Sequence, residues 1–204
     1  TTWSADLVGS NSLPNWTVGD SQTDLANPAK VFIVYNGNGA WGSLNSGVGS
    51  YYISLQHNGA YIEQTIDVTQ GNTYKVTLKA AKRPSYDVDS LLIKIKDPVT
   101  NEWTQIADID SDYGLDTTGF KEFTSSNFIA ISNSITLRLE CKKDTYVQYA
   151  SLFIDDIAIV DYVSGYSYNA FNNKLDIYNS FIGKSHNTTD RTGPWELRYT
   201  FPEA

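Results

Sequence analysis

The stretch Tyr74-Lys75-Val76-Thr77-Leu78-Lys79-Ala80 alternates strictly between apolar and polar side chains. With a side-chain period of two, Tyr74, Val76, Leu78 and Ala80 share one face of an extended strand, and Lys75, Thr77 and Lys79 share the other. One face is core and the other meets water. Ser134 to Lys142 repeats the pattern, with Ile135, Leu137, Leu139 and Cys141 alternating with Thr136, Arg138, Glu140 and Lys142. Cys141 therefore reads as a small core residue.

Working outward, further strands are predicted over Lys30–Tyr35, Tyr51–Gln56, Ala60–Val68, Leu91–Lys96, Glu102–Ile109, Phe120–Phe128 and Leu152–Val160, nine in all. Turn chemistry separates them: Asn36-Gly37-Asn38-Gly39, His57-Asn58-Gly59, Gln70-Gly71-Asn72 and Asp97-Pro98-Val99-Thr100-Asn101 supply Gly, Asn or Pro where the backbone must reverse. No dozen-residue segment places apolar side chains at helical spacing, and the βαβ alternation of a parallel sheet is missing. The expectation is an all-β, antiparallel β-sandwich of jelly-roll type spanning residues 1–160. Residues 1–29, rich in Ser, Asn, Gly and Asp with Trp3 and Trp16 as anchors, are expected to wrap it as irregular chain. Residues 161–204 form an aromatic-rich extension carrying Tyr162, Tyr166, Tyr168, Phe171, Tyr178, Phe181, Trp195, Tyr199 and Phe201. That is too aromatic for a disordered linker, so it is expected to pack on the sandwich or on a partner.

Composition narrows the function classes. The 204 residues carry a formal charge of −8 with Lys and Arg scattered, which gives no electrostatic footprint for nucleic acid. Cys141 is the only cysteine, so an internal disulfide and a zinc site built from several thiolates are both excluded. No apolar stretch approaches the roughly 20 residues of a membrane span, so membrane insertion is not expected. The start at Thr1, without Met or a secretion signal, reads as a chain that was processed or excised from something longer.

The ordered series of short motifs is more specific than any one of them. Leu13-Pro14-Asn15-Trp16-Thr17, Gly39-Ala40-Trp41-Gly42, Tyr52-Ile53-Ser54-Leu55-Gln56 and Gly59-Ala60-Tyr61-Ile62-Glu63-Gln64-Thr65-Ile66 are followed by Gly71-Asn72-Thr73-Tyr74-Lys75-Val76-Thr77-Leu78, Ala80-Ala81-Lys82-Arg83-Pro84 and Phe153-Ile154-Asp155-Asp156-Ile157. Over about residues 7 to 160 this order resembles galactose-binding-like β-jelly-roll domains of the carbohydrate-binding-module type. The resemblance implies a two-sheet jelly roll. Such domains occur on bacterial secreted enzymes, plant wall proteins and the exteriors of phages and large viruses, so the fold narrows function only in part. The family often opens with an Asn-Gly-Ser-Phe-Glu segment whose Glu helps hold a structural calcium. Here the stretch reads Leu7-Val8-Gly9-Ser10-Asn11-Ser12, and that calcium loses its support.

Several constellations carry candidate chemistry. Asp108, Asp110 and Asp112, with Gly114 and Asp116 beyond, have the oxygen-rich spacing that Ca2+ favours, but Tyr113 stands at the turn glycine and Gly119 where a bidentate Glu belongs. A solvated acidic loop is the alternative. Asp155 and Asp156 interrupt an apolar strand, so alternation turns one of them inward, where it must bind metal or accept hydrogen bonds from N-terminal amides. Trp41 lies in a Gly/Asn/Ser-rich stretch and is a candidate sugar-stacking ring. Arg83 and Tyr86 supply polar partners, Asp87 stands beside them, and Gln56 and Asn58 join them near the first hairpin. In the alternative reading Trp41 caps the sandwich and Arg83 pairs with Asp87 or Asp89.

No catalytic residue is assigned. His57 and His186 are the only histidines, and Gly-x-Ser-x-Gly, a Gly-rich phosphate loop, His-Glu-x-x-His and Cys-x-x-Cys are all missing. Asn15-Trp16-Thr17 and Asn187-Thr188-Thr189 are sequons, relevant only in a eukaryotic secretory pathway. The sequence thus points to a non-catalytic, lectin-like module binding a glycan or polysaccharide at an extracellular, cell or virion surface, with Ca2+ as its one candidate cofactor. The second reading is a structural or decorating subunit of a virion, fibre or extracellular assembly, with residues 161–204 as a protein or self-assembly contact. The third is a glycan-active enzyme.

Overall fold

Period-two alternation organises the computed structural model, which describes residue 13, residues 15–22 and 28–162, and the backbone of residues 166–169 and 174–177. The chain divides into two compact units, Thr1–Asp161 and Tyr162–Ala204. The first holds β1 (Thr17–Asp20), β2 (Lys30–Tyr35), β3 (Tyr51–Gln56), β4 (Ala60–Asp67), β5 (Thr73–Lys82), β6 (Ser90–Lys96), β7 (Trp103–Ile109), β8 (Lys121–Thr124), β9 (Phe128–Ile129), β10 (Ser134–Lys142) and β11 (Ser151–Asp161). One sheet has the order β1-β4-β10-β6-β7, and the other has the order β2-β3-β11-β5-β8 with β9 also on β5. All of these pairings are antiparallel. In the second unit β12 (Tyr166–Asn169) pairs antiparallel with β13 (Lys174–Ile177). The packing expected of the aromatic extension lies outside the described residues.

The core between the two large sheets is the set that alternation selects. Val76, Leu78 and Ala80 from β5 and Leu137, Leu139 and Cys141 from β10 are buried with Ile62, Leu91, Ile93, Leu152 and Ile154. Each Leu or Ile removed from water contributes about 1.5–3 kcal/mol before the entropy of ordering is charged against it. The sheet containing β5 is also covered on its outer side. Register aligns Phe32, Ser54, Phe153 and Ala81 in one row across β2, β3, β11 and β5. Trp41 packs there with Val34, Tyr52, Ala81 and Phe153, partly covered by Phe32, Leu44 and Phe120. Trp41 arrives on a short 3-10 turn, Gly39–Trp41, capped by Asn38, whose Oδ1 accepts from Ala40 N at 3.1 Å. The other sheet turns a polar ladder outward, where the Arg138 guanidinium lies 3.8 Å over the Tyr61 ring and 4.2 Å over Trp103 and pairs with Glu63 at 2.7 Å.

Three expectations are corrected. Thr17–Asp20 is not irregular: it forms an edge strand on β4, with Val18 buried. The strand expected over Phe120–Phe128 is split into β8 and β9. Between them the Ser125 hydroxyl accepts the Val76 N–H at 2.9 Å and takes the place of a ladder carbonyl. Nor does alternation turn Asp155 or Asp156 into the core between the sheets: Asp155 lies on the opposite face, across from Lys79, half-buried with its Oδ2 shielded from water, and Asp156 is exposed. A bulge between Asp155 and Ala158 interrupts the register and puts Asp156 at φ +52°, so the core receives Ile154 and Ile157 instead. Among the described residues no helix is long and apolar enough to cross a membrane.

Cys141 is fully buried, and that burial pushes its thiol well above the ordinary cysteine range. Since the thiolate is the nucleophile, the native protein is expected to resist alkylation by iodoacetamide. Labelling followed by mass spectrometry should become stoichiometric only in denaturant, and rapid native labelling would contradict the burial.

Candidate functional site

One end of the sandwich gathers most of the candidate residues. Arg83 immediately follows β5, and its N–H donates to Ser151 O at 2.9 Å, extending the pairing with β11 by one residue. The chain then turns through Ser85 at φ +67°, and Tyr86 O accepts from Ser151 N at 2.9 Å. The Arg83 guanidinium sits between two rings, 4.5 Å from the Trp41 centroid and 4.7 Å from that of Tyr86. Its Nη2 donates to Ala40 O at 2.7 Å and its Nη1 to Tyr149 O at 3.2 Å. Burial lowers the Arg83 pKa, opposed by the nearby phenols of Tyr86, Tyr52 and Tyr149. Rings and carbonyls thus hold the cation where water is scarce.

The connection from β10 to β11 rises beside this clamp. Tyr149 sits at φ +65°, and its N–H donates to His57 Nε2 at 3.3 Å while His57 Nδ1 faces Pro28 O at 3.1 Å. A carbonyl on one side and an N–H on the other match the tautomer that donates from Nδ1 and accepts at Nε2. The His57 and Tyr146 rings are 5.6 Å apart, and Tyr86 meets Tyr149 edge-on at 5.8 Å. Three tyrosines consequently present rings to solvent from anchored loops: Tyr86 is 38%, Tyr146 52% and Tyr149 46% exposed. Gln56 Nε2 donates to Ser151 Oγ at 3.3 Å, and Asn58 Oδ1 accepts from Lys143 N at 2.9 Å, so both act as struts of the same loop.

A polar cleft of about 340 Å³ opens at this end, lined by Lys82, Asp87, Val88, Asp89, Ser90, Asp108, Asp110, Ser111, Asp112 and Lys142. Asp89 ties it to the tyrosine loop by accepting from Lys143 Nζ at 2.8 Å and from Asp144 N at 2.6 Å. Burial raises the Asp89 carboxyl, but these two donors together outweigh it and hold its pKa below the ordinary 3.8. Within the acidic run, Asp110 Oδ1 accepts from Asp112 N and Tyr113 N at 2.9 and 3.2 Å, a turn closed by its own side chain. Asp116 binds Lys121 and Thr118, which hold its carboxyl at about 2.

Residues 2–160 match the family described as Protein of unknown function (DUF642). The chain belongs to the DUF642 family. No curated protein matches it. Among solved structures, the CBM22-1 xylan-binding domain from Paenibacillus barcinonensis Xyn10C has 11% identity over 79% of this chain and 97% of its own, with a TM-score of 0.51. The CBM22-1-CBM22-2 tandem of the same protein gives 11% identity, 78% and 45% coverage and a TM-score of 0.50. The enzymatically active domain of bacteriophage CBA120 tailspike protein 4 gives 15%, 73%, 20% and 0.47, so this chain spans a fifth of that domain's length. The fold of this DUF642 chain is therefore the carbohydrate-binding-module jelly roll, in agreement with the motif series read over residues 7–160.

In the DUF642 chain, Arg83, Tyr86, Gln56, Asn58 and Trp41 converge through the clamp and the β10–β11 connection. Trp41, however, is only 7% exposed, with its ring packed on Phe32 and Phe153 at 5.1 and 6.2 Å, so it supports the site from beneath. Arg83 pairs with neither Asp87 nor Asp89. Sequence reading missed Tyr146, Tyr149 and His57, although two tyrosines in the polar run Asp144-Thr145-Tyr146-Val147-Gln148-Tyr149 have no apolar face to join. Asp108, Asp110 and Asp112 line the cleft, whereas Asp155 and Asp156 belong to the β11 bulge in the other sheet. Among the described residues no three His, Cys, Asp or Glu are grouped to hold a metal ion, so Ca2+ stands as a proposal that requires these carboxylates to turn.

Two stability measurements follow from this packing. Trp41→Ala removes a buried ring and one side of the guanidinium clamp, and urea unfolding should show a loss of about 3 kcal/mol or more. Asp89→Asn should lower stability at pH 7 by about 1 kcal/mol, a value reduced by the partial exposure of the pair. Because the folded pKa is depressed, the Asp89 contribution is complete above 3.8 and fades as the pH falls below it. The difference in melting temperature between Asp89→Asn and wild type should therefore close in acid.

Proposed function

We propose that this chain is a non-catalytic carbohydrate-binding module whose ligand stacks on Tyr86, Tyr149 and Tyr146. The observation carrying the reading is the trio of exposed rings held at fixed angles by Arg83, His57 and the strands beneath them. Sugar rings offer apolar C–H faces, and aromatic side chains pre-ordered on a rigid scaffold bind such faces at low entropic cost. The fold shared with a xylan-binding domain supports the same class of ligand. Trp41 and Arg83 hold the platform, while Gln56 and Asn58 brace the loop that carries it. The natural setting of such a module is an extracellular, cell or virion surface.

A second role, assembly through residues 161–204, is favoured by the exposed Ile129, Ile131 and Val160 near the opposite end of the first unit, where β9 and the last residue of β11 flank β5. Sedimentation of the full chain beside one ending at residue 161 tests that role, which requires the larger species to vanish on truncation.

A glycan array run with and without Ca2+, followed by calorimetry on the best ligand, tests the main reading. Tyr146→Ala and Tyr149→Ala should each weaken binding tenfold or more, about 1.4 kcal/mol, with little change in melting temperature. Normal binding by both variants would remove the platform from the site. Release of reducing sugar from a bound glycan would make the protein an enzyme instead.

A further inference from the structure

Ser90 is 2% exposed, lines the acidic cleft and leaves its hydroxyl without a hydrogen-bond partner. Asp108 Oδ1, in the same wall, is likewise buried and unpaired. Buried polar atoms are rarely left unpaired, and of the five such side-chain atoms among the described residues these two share one cleft, where a ligand or an ordered water would complete their bonding. The other lining groups define that ligand. Lys82 Nζ is committed to Ser111 Oγ at 2.8 Å, and Asp89 is committed to Lys143 and Asp144 N. The Asp87 and Asp112 carboxylates make no hydrogen bond or ion pair among the described residues.

Lys142 Nζ lies 4.0 Å from Asp108 Oδ2 and Lys143 neutralises Asp89, yet five carboxylates still outnumber these three ammonium groups, Lys82 included, which repels a phosphate or sulfate and attracts a cation. Two ammonium groups in the wall and no grouping of three acidic side chains suit a bare divalent ion poorly. The volume, about 340 Å³, falls in the range of roughly 300–1,000 Å³ typical of small-molecule pockets. An organic ammonium fits all three conditions: it brings three N–H donors, a positive charge and the bulk to fill the space. Register places Ser90 opposite Lys142 and Leu91 opposite Ile109, so the cleft opens at the end of the sandwich that carries the tyrosines. It shares both loops with them: Asp87 follows Tyr86, and Asp89 holds the start of the loop bearing Tyr146 and Tyr149.

We propose that the cleft binds the protonated primary amine of an amino sugar within a glycan that also stacks on the tyrosines. The proposal rests on the glycan reading above and names its ligand class. Asp108, Asp87 and the Ser90 hydroxyl would receive the ammonium, and Lys142 would meet ring or hydroxyl oxygens. The excess negative charge of the whole chain would steer such a cation toward it.

The full chain is titrated by calorimetry with a tetramer of β-1,4-linked glucosamine, with its fully N-acetylated counterpart, with neutral xylan and galactan oligosaccharides, and with spermidine. The free-amine tetramer should bind at least tenfold more tightly than the acetylated one, and the ratio should shrink as salt is added. Asp108→Asn and the exposed Asp87→Asn should each bring the ratio toward one, while Tyr149→Ala should weaken both tetramers. Unfolding curves establish that each variant is folded, and Asp87→Asn alone decides the outcome if Asp108→Asn is not. Equal affinity for the two tetramers, or a ratio unaffected by the substitutions, overturns the proposal while leaving the glycan reading intact. Binding of spermidine as tight as that of the amine tetramer and insensitive to Tyr149→Ala assigns the cleft to a polyamine and overturns the amino-sugar assignment. If spermidine binds and no oligosaccharide does, the glycan reading falls as well. Displacement of the amine tetramer by millimolar Ca2+, lost in Asp108→Asn, would make the cleft a metal site and overturn the proposal.

Discussion

Successive residues of β5 must point to opposite sides of its sheet, and both sides are occupied. Tyr74, Val76, Leu78 and Ala80 go to the core, while the opposite parity runs Thr77, Lys79, Ala81 and reaches Arg83 just beyond the strand end. A shift of one residue would send the leucine and valine outward and bury lysines in their place, so the register is closely specified. Arg83 inherits its position from that rule. Being of outward parity, it emerges beside Ala40 and Trp41, next to the aromatic patch built by Tyr52, Ala81 and Phe153.

An arginine so placed is commonly neutralised by a carboxylate, but among the described residues none pairs with it. Two carbonyls and two ring faces hold it instead, from three separate stretches: the 3-10 turn, the β5–β6 connection and the β10–β11 connection. Because the planar guanidinium offers donors at its edge and flat faces to rings, it can serve all of them at once, which an ammonium of the same charge could not. The same burial that lowers the Arg83 pKa raises that of Tyr52, to about 12, so the tyrosine beneath the clamp stays neutral beside the cation.

The two alternating strands, the turns between hairpins and the jelly-roll class were legible because they depend on local period and turn chemistry. Four-residue β1 was not, since a single buried Val18 makes no pattern and the strand exists only through its partner β4. Trp41 was misleading for a related reason. The Gly- and Asn-rich loop around it suggested open surface, yet Val31-Phe32-Ile33-Val34 and Leu152-Phe153-Ile154 run apolar on both parities. Such continuous runs signal strands covered on both faces, and the cover turned out to be this loop. At the candidate site, the place of Arg83 and Tyr86 in a loop directly after a strand could be read from the sequence. Tyr149 could not, because its role depends on a left-handed backbone conformation and on a histidine 92 positions earlier.

The strand order also determines when the molecule can become whole. β10 lies at the centre of its sheet and β11 at the centre of the other, although they are the last two strands of the first unit to leave the ribosome. Until they emerge, β4 and β6 have no strand between them, and neither have β3 and β5. A nascent chain stopped before Ser134 therefore holds four half-sheets, two from each sheet, each with an open edge that offers unpaired backbone groups to any neighbour. Closure must await the final strand at Asp161, so biosynthesis of this domain is a late and largely all-or-none event, exposed to premature termination along most of its length.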